Sequence, residues 1–314
     1  LKAEPDILYY ACGGGLGHVT RAAAILRQLP LSIDAQVLTT VATPYPLIHE
    51  GIPFHHFAEE EFPNNSQEYL QKINPKVLVM DVFPYGLHEE LRDILPSLPC
   101  KKVFIYRHVL AGYRAIIDSA LPLFDLVIQA ETAEPPLAVP AIDCQPILLR
   151  EEHELLNRDE ARGKLEVTDD RPVVLGVSSG DTGWTASFFS VLRKALANTG
   201  AYAQLRLAAP EYHGEEAIAH YPLIELLPGI DVLVGAGGYN LYHEGQACGT
   251  PVIFLPQPRL IDDQYWRTRN TPTANSPEEL EARLREALAT SRQKTHFCNH
   301  AAKAAMAIAS FIHH

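Results

Sequence analysis

The chain has 314 residues, and at roughly 150 residues per domain two domains are expected. Hydrophobic residues make up 47% and charged ones 20%, the balance of a chain with a real core, which excludes a disordered or fibrous protein. Lys and Arg number 26 against 38 Asp and Glu, a net charge of −12 with no basic cluster, so neither nucleic acid nor an anionic membrane is an expected partner.

In chain order, residues 7–12 (ILYYAC) read as a buried strand, followed by a glycine loop and a helix over 19–29. Further strands are expected at 35–40, 76–80, 103–106 and 126–129, separated by helical or Pro-rich stretches. The pattern then restarts. Residues 172–177 read as a strand, 178–183 (SSGDTG) as a loop, and 184–198 as a helix closed by Gly200. A strand at 231–234, a helix at 239–248, a strand at 252–255 and an Ala-rich last helix near 300–312 complete the pass. Strand, glycine loop and helix thus open each half, which predicts an α/β protein of two tandem, doubly wound, Rossmann-like domains. The expected division is 1–155, 156–296 and a final helical segment, 297–314, able to pack back on the first domain.

No apolar run approaches the roughly 18 residues of a spanning helix, so no stable membrane insertion is expected. Glu4 and Asp6 precede the first short apolar run, which is unlike a signal peptide. The five cysteines contain no close pair, and free thiols in a reducing cytoplasm are the expectation.

Chemistry concentrates in two places. The first is Gly13-Gly14-Gly15-Leu16-Gly17-His18, between the first strand and the first helix, where glycines admit a ligand to the backbone and the helix start favours an anion. His18 stands where the third glycine of a dinucleotide fingerprint belongs, which argues against an NAD enzyme. A histidine near a helix N-terminus is kept neutral and suits a general base, or it merely caps the helix. Asp81 ends the strand at 76–80, at the edge where open sheets bind ligands, so it either orients His18 or caps a turn. Arg21, one turn beyond His18, is read as a phosphate contact or a solvated charge, and Arg107-His108 as an acceptor contact or surface. Trp184 frames a pocket or packs. His55-His56 has no third ligand nearby, and no metal is expected there.

The second place is Gly237-Gly238-Tyr239-Asn240, Glu244-Gly245, Gly249-Thr250-Pro251, Pro256 and Asp262-Asp263-Gln264. Glycines after a strand let a phosphate sit on the next helix, with Asn240 in its first turn. Glu244, one turn later on the same face, can accept two hydroxyl hydrogen bonds, and Asp263 and Gln264 follow the next strand.

Together with Ser178-x-Gly180, this order of motifs resembles nucleotide-sugar glycosyltransferases of the GT-B type. The group containing the peptidoglycan lipid-intermediate N-acetylglucosaminyltransferase and the UDP-glucuronosyl/glucosyltransferases is the most similar. The resemblance implies two Rossmann-like domains flanking a cleft and a metal-independent, inverting transfer from a UDP-sugar to a hydroxyl acceptor of unknown identity. It implies His18 as base with Asp81 as its partner, and Gly14, Gly17 and Arg21 on the acceptor-side loop. Ser178, Gly180, Gly237, Gly238 and Asn240 would hold the diphosphate, Glu244 the ribose, and Asp263 and Gln264 the sugar. No cofactor is implied. One departure is Ala236, where glucosyltransferases carry a histidine. The segment 15–21 (GLGHVTR) is also similar to the GxGHxxR of a UDP-sugar hydrolase, so a hydrolase or epimerase is the enzymatic rival, and a non-catalytic nucleotide-sugar-binding module the other.

Overall fold

A computed structural model describes residues 4–179, 182–210, 212–290, 292 and 295–312. The chain divides into two compact units, Leu1–Leu149 with Asn299–His314, and Arg150–Cys298.

The first unit runs β1 (Ile7–Tyr10), α1 (Gly17–Leu26), β2 (Ala35–Thr39), α2 (Tyr45–His49), β3 (Phe54–His56), α3 (Phe62–Ile73), β4 (Val77–Asp81), β5 (Lys101–Tyr106), α4 (Ala111–Ala120), β6 (Leu126–Gln129) and β7 (Ile142–Asp143). Its seven strands form one sheet in the order β3-β2-β1-β4-β5-β6-β7, all parallel. Every residue of β1 and β4 is buried. Central strands covered on both faces need such continuous apolar runs, and helices supply the cover. The order reverses between β1 and β4. Strand ends diverge there, and the carboxyl edge opens a crevice for ligands.

The second unit runs α5 (Arg158–Lys164), β8 (Val173–Val177), α6 (Thr182–Thr199), β9 (Gln204–Ala208), β10 (Val232–Gly235), α7 (Tyr239–Cys248), β11 (Val252–Phe254), α8 (Gln264–Thr268) and α9 (Pro277–Leu288). Its parallel sheet has the order β11-β10-β8-β9, and the reversal falls between β8 and β10. Phe188, Phe189, Leu192 and Leu196 of α6 join Leu280 and Leu284 of α9 in one buried cluster with Val174, Val232 and Ile253. Truncating one of these leucines to alanine costs about 2–5 kcal/mol, so this cluster sets the stability of the unit.

The last helix, α10 (Ala301–Ala309), belongs to the first unit. Its entry is pinned by Asn299, whose Oδ1 accepts from the Leu148 N–H at 2.9 Å while its Nδ2 donates to the Leu148 carbonyl at 3.0 Å. The His300 N–H donates to the Pro146 carbonyl at 2.8 Å. Strands β3, β7 and β9 were not expected. They are short, two to five residues, and only partly buried, so they lack a strong apolar run. All five cysteines are free thiols. Among the described residues no helix is long and apolar enough to cross a membrane.

Candidate active site

In the first unit β1 delivers the chain into the glycine loop, and His18 occupies the first turn of α1. Gly13 has φ +143, and a Cβ there would stand 2.9 Å from His18 Cδ2 and 3.1 Å from Nε2. Only glycine lets the backbone take that conformation and lets the imidazole lie against it. Phe83 flanks the ring with centroids 5.3 Å apart. His18 Nδ1 lies 3.5 Å from Asp81 Oδ1, and among the described residues it makes no hydrogen bond. Burial lowers the imidazole's proton affinity. Asp81 opposes this, while the Arg21 and Arg107 cations add to it, and the net result is a neutral ring. Burial is the leading cause.

Asp81 closes β4 and is fully buried. Burial alone would raise its pKa, but Arg21 and then His18 outweigh it and hold the carboxyl at about 2. Arg21 is neither solvated nor placed as a phosphate contact. It is 2% exposed, its Nε lies 3.2 and 3.1 Å from Asp81 Oδ1 and Oδ2, and its Nη2 lies 2.7 Å from Oδ1. Tyr9 Oη donates to Oδ2 at 3.2 Å. Asp81 is thus no turn cap: it sits at the centre of a buried network. Val82, the next residue, has φ +68. A β-branched residue in that region stores roughly 1–3 kcal/mol of strain, at the carboxyl edge of the sheet. Arg107 and His108, following β5, are both buried, which removes their surface reading, and the His108 N–H donates to Glu131 Oε2 at 3.1 Å. Gly14 and Gly17 have open space where a side chain would stand.

In the second unit, the two loops at the sheet reversal are those after β8 and β10. Ser178 follows β8, is 3% exposed, donates its N–H to the Ala208 carbonyl at 2.9 Å and pairs its Oγ with Thr185 Oγ1 at 2.6 Å. Gly180 lies outside the described residues. Gly237 and Gly238 lead into α7, with Gly238 at the N-cap and no side chain capping the helix. A Cβ on Gly237 would be 2.6 Å from Thr268 Cγ2 and 3.3 Å from the Gln264 carbonyl oxygen. Asn240 follows in the first turn. Glu244 comes one turn later, and desolvation, with no compensating partner among the described residues, pushes its carboxyl up to about 8.

The segment expected to read a sugar builds the loop itself. Asp263 Oδ1 accepts the Trp266 N–H at 2.9 Å as the N-cap of α8. Gln264 is 4% exposed, its Oε1 accepting from the Gln257 N–H at 2.9 Å and its Nε2 donating to Asp262 Oδ2 at 3.3 Å. The Gln264 side chain thus holds the loop together. Arg267, which sequence reasoning missed, is buried and joins the two loops, donating from Nη1 to the Gly237 carbonyl and from Nη2 to Asp262 Oδ1, each at 2.8 Å. Trp184 stacks on Phe188 with centroids 4.9 Å apart, the packing role. His55 stacks on Tyr69, and among the described residues no three His, Cys, Asp or Glu side chains converge as a metal site.

The fold that carries these two sites is shared with solved glycosyltransferases. MurG of Acinetobacter baumannii is similar over 98% of this chain and 100% of its own, at 15% identity and a TM-score of 0.60. The spinosyn rhamnosyltransferase SpnG, complexed with thymidine diphosphate, is similar over 98% and 96%, at 13% identity and TM-score 0.60. The spinosyn forosaminyltransferase SpnP is similar over 98% and 95%, at 14% identity and TM-score 0.62. The fold is GT-B. No protein-family model and no curated protein sequence matches the chain. With identities this low, the likeness carries the GT-B architecture of two Rossmann-like units, and the chemistry has to be argued from the side chains.

Proposed function

We propose that this protein is a glycosyltransferase that moves a sugar from a nucleoside diphosphate sugar, with uridine as the expected base, to a hydroxyl acceptor. The observation that carries this reading is the His18–Asp81 pair at the sheet reversal of the first unit, a partly buried neutral imidazole whose Nδ1 faces an ionised carboxylate. That arrangement leaves Nε2 to take a proton from a hydroxyl and gives the resulting imidazolium a counter-charge. As the acceptor oxygen bonds to the anomeric carbon, the bond from that carbon to the diphosphate oxygen breaks. The hydroxyl proton goes to His18, and the electron pair leaves with the diphosphate. A single displacement of this kind inverts the anomeric centre.

The second unit is the donor-binding half in this reading. The uncapped start of α7 at Gly238 offers main-chain N–H groups to the diphosphate, and Ser178, Gly237 and Asn240 are assigned to the same ligand in this reading. The half-buried Glu244 carboxyl accepts the ribose hydroxyls, and the loop shaped by Asp263 and Gln264 borders the sugar. The thymidine diphosphate bound by SpnG supports a nucleoside diphosphate as the ligand class. The proposed reaction uses no metal, and EDTA is expected to leave it unchanged.

The test is a thermal-shift screen of UDP, TDP and their sugars, followed by turnover with and without acceptor alcohols. A ligand at a hundred times its dissociation constant adds about 2.7 kcal/mol of stability. Acceptor-dependent release of the diphosphate supports the transferase. Equally fast release of free sugar in water alone assigns a hydrolase instead, and binding without turnover a non-catalytic module.

A further inference from the structure

The sequence offers Arg21 two roles, phosphate ligand or surface charge, and the structure takes neither. Arg21 lies three residues after His18, on the same side of α1, within a helix whose following residues Ala22, Ala23, Ala24, Ile25 and Leu26 are all buried. An arginine in such a place must be paired, because an unpaired buried charge is far costlier than any packing it gains. Its planar fork meets both oxygens of Asp81, and its shortest contact, 2.7 Å, is to Oδ1, the oxygen that also faces His18 Nδ1. Tyr9 Oη holds the other oxygen. The carboxylate has no rotational freedom left.

We propose that Arg21 is a positioning residue for His18. Its guanidinium fixes the Asp81 carboxylate in the orientation that presents Oδ1 to the imidazole, and its charge opposes formation of the imidazolium until a hydroxyl proton arrives. The proposal rests on the reading of His18 as the base. It adds that the working unit is a triad of His18, Asp81 and Arg21. A bare His–Asp pair would share one negative charge with the incoming proton. Here Arg21 already neutralises that charge, so protonating His18 leaves the buried group with a net positive charge. Among the described residues the charged groups acting on His18 are Arg21 from its own helix, Asp81 from β4 and Arg107 after β5, and the Phe83 ring packs beside it. Two of the three charged neighbours are cations. Desolvation is the main reason the ring stays unprotonated, and the two cations add to it against Asp81, at the expense of proton-abstracting strength. Lysine at position 21 would keep the charge and lose the fork, and methionine would lose both.

The experiment reads the His18 ring directly by ¹⁵N and ¹³C NMR across pH in the full-length wild type, Arg21→Lys and Arg21→Met proteins, without substrate. Wild-type His18 is expected to titrate below the ordinary histidine value of about 6.5. In Arg21→Met the His18–Asp81 pair is expected to bind its proton at least one pH unit higher, a tenfold gain in proton affinity. In Arg21→Lys the His18 titration stays within about half a unit of wild type. Once a donor and acceptor are in hand, the acid limb of the kcat/KM profile should move up with the same sign in Arg21→Met, and Arg21→Lys should lower kcat with little change in KM. A wild-type His18 titrating above pH 7, or an Arg21→Met protein whose His18 titration is unmoved, overturns the proposal. If Arg21→Met does not fold, the wild-type value and Arg21→Lys still decide it: a shift in Arg21→Lys as large as a full unit also overturns it. Because the NMR titration needs no substrate, it can succeed while no nucleotide sugar is turned over. That result would sink the transferase reading and leave the clamp standing, whereas turnover with an unmoved titration would do the reverse.

Discussion

The two units reach the same place in their sheets by different chemistry. In the first, the reversal between β1 and β4 is lined by side chains, Tyr9 and Arg21 hydrogen-bonded to Asp81 and His18 facing it at 3.5 Å. In the second, the reversal between β8 and β10 is lined by main chain, with Gly237 and Gly238 leading into an uncapped helix. Its carboxyl group, Glu244, has no compensating partner among the described residues and is pushed up, where Asp81 is held down. A site that moves a proton needs its titrating groups fixed beforehand, and a densely bonded network does this. A site that holds an anion needs donors that cannot be titrated away, and peptide N–H groups are such donors.

The contrast can be broken most severely at His18. His18→Ala is expected to lower turnover by about 10²–10⁴ while nucleotide affinity, measured by calorimetry, stays within twofold. Loss of affinity along with turnover would remove the division of labour between the units. Asp81→Asn strips Arg21 of its buried partner and should cost about 3–5 kcal/mol of stability in urea. In the wild type the contribution of Asp81 has a definite pH window. Its folded value of about 2 lies below the ordinary 3.8, so the stabilisation is present above pH 3.8 and disappears as pH falls through about 2. That difference amounts to about 2 kcal/mol.

Gly237→Ala brings a methyl 2.6 Å from Thr268 Cγ2, and displacing the loop is expected to weaken nucleotide binding roughly ten- to a hundredfold, for about 1–3 kcal/mol of overpacking. The same change should leave the His18 titration untouched. Glu244 gives the opposite pH signature to Asp81. Its carboxyl is raised from 4.5 to about 8, so the folded state holds a proton that the unfolded chain has already lost, and stability falls as pH rises through that interval. The Tm of Glu244→Gln should match wild type near pH 4 and exceed it near pH 9; a gap that does not grow with pH would mean the carboxyl is solvated. At the small end, Gly14→Ala projects into open space, and its effect on stability should stay within about 0.5 kcal/mol, leaving any loss of activity to be read as a clash with ligand.

Much of this was legible in the linear chain because it depends on local periodicity. Buried runs such as Val77–Asp81, helix Tyr239–Cys248 and the doubled strand–glycine–helix order all follow from side-chain pattern and backbone freedom. His18 and Asp81 could be named because glycine loops and strand ends in a parallel sheet point to its carboxyl edge. Edge strands such as Phe54–His56 left no comparable trace, since partial burial demands no apolar run.

What only the tertiary structure decided is who pairs with whom. Arg21 and Asp81 lie 60 residues apart, and Arg267 and Gly237 30 apart, and nothing in either segment names the other. A buried arginine in VTRAAAIL signals that some partner must exist, because the charge has to be balanced. Which partner depends on the strand order that sets β4 beside β1. In the same way Gln264, read from its motif as a ligand contact, was claimed by Gln257 and Asp262 once the loop closed on itself. Sequence determines which groups are available at the edge of each sheet. Packing decides which are spent on one another, because a buried hydrogen-bonding group takes the partner that the fold brings within about 3 Å.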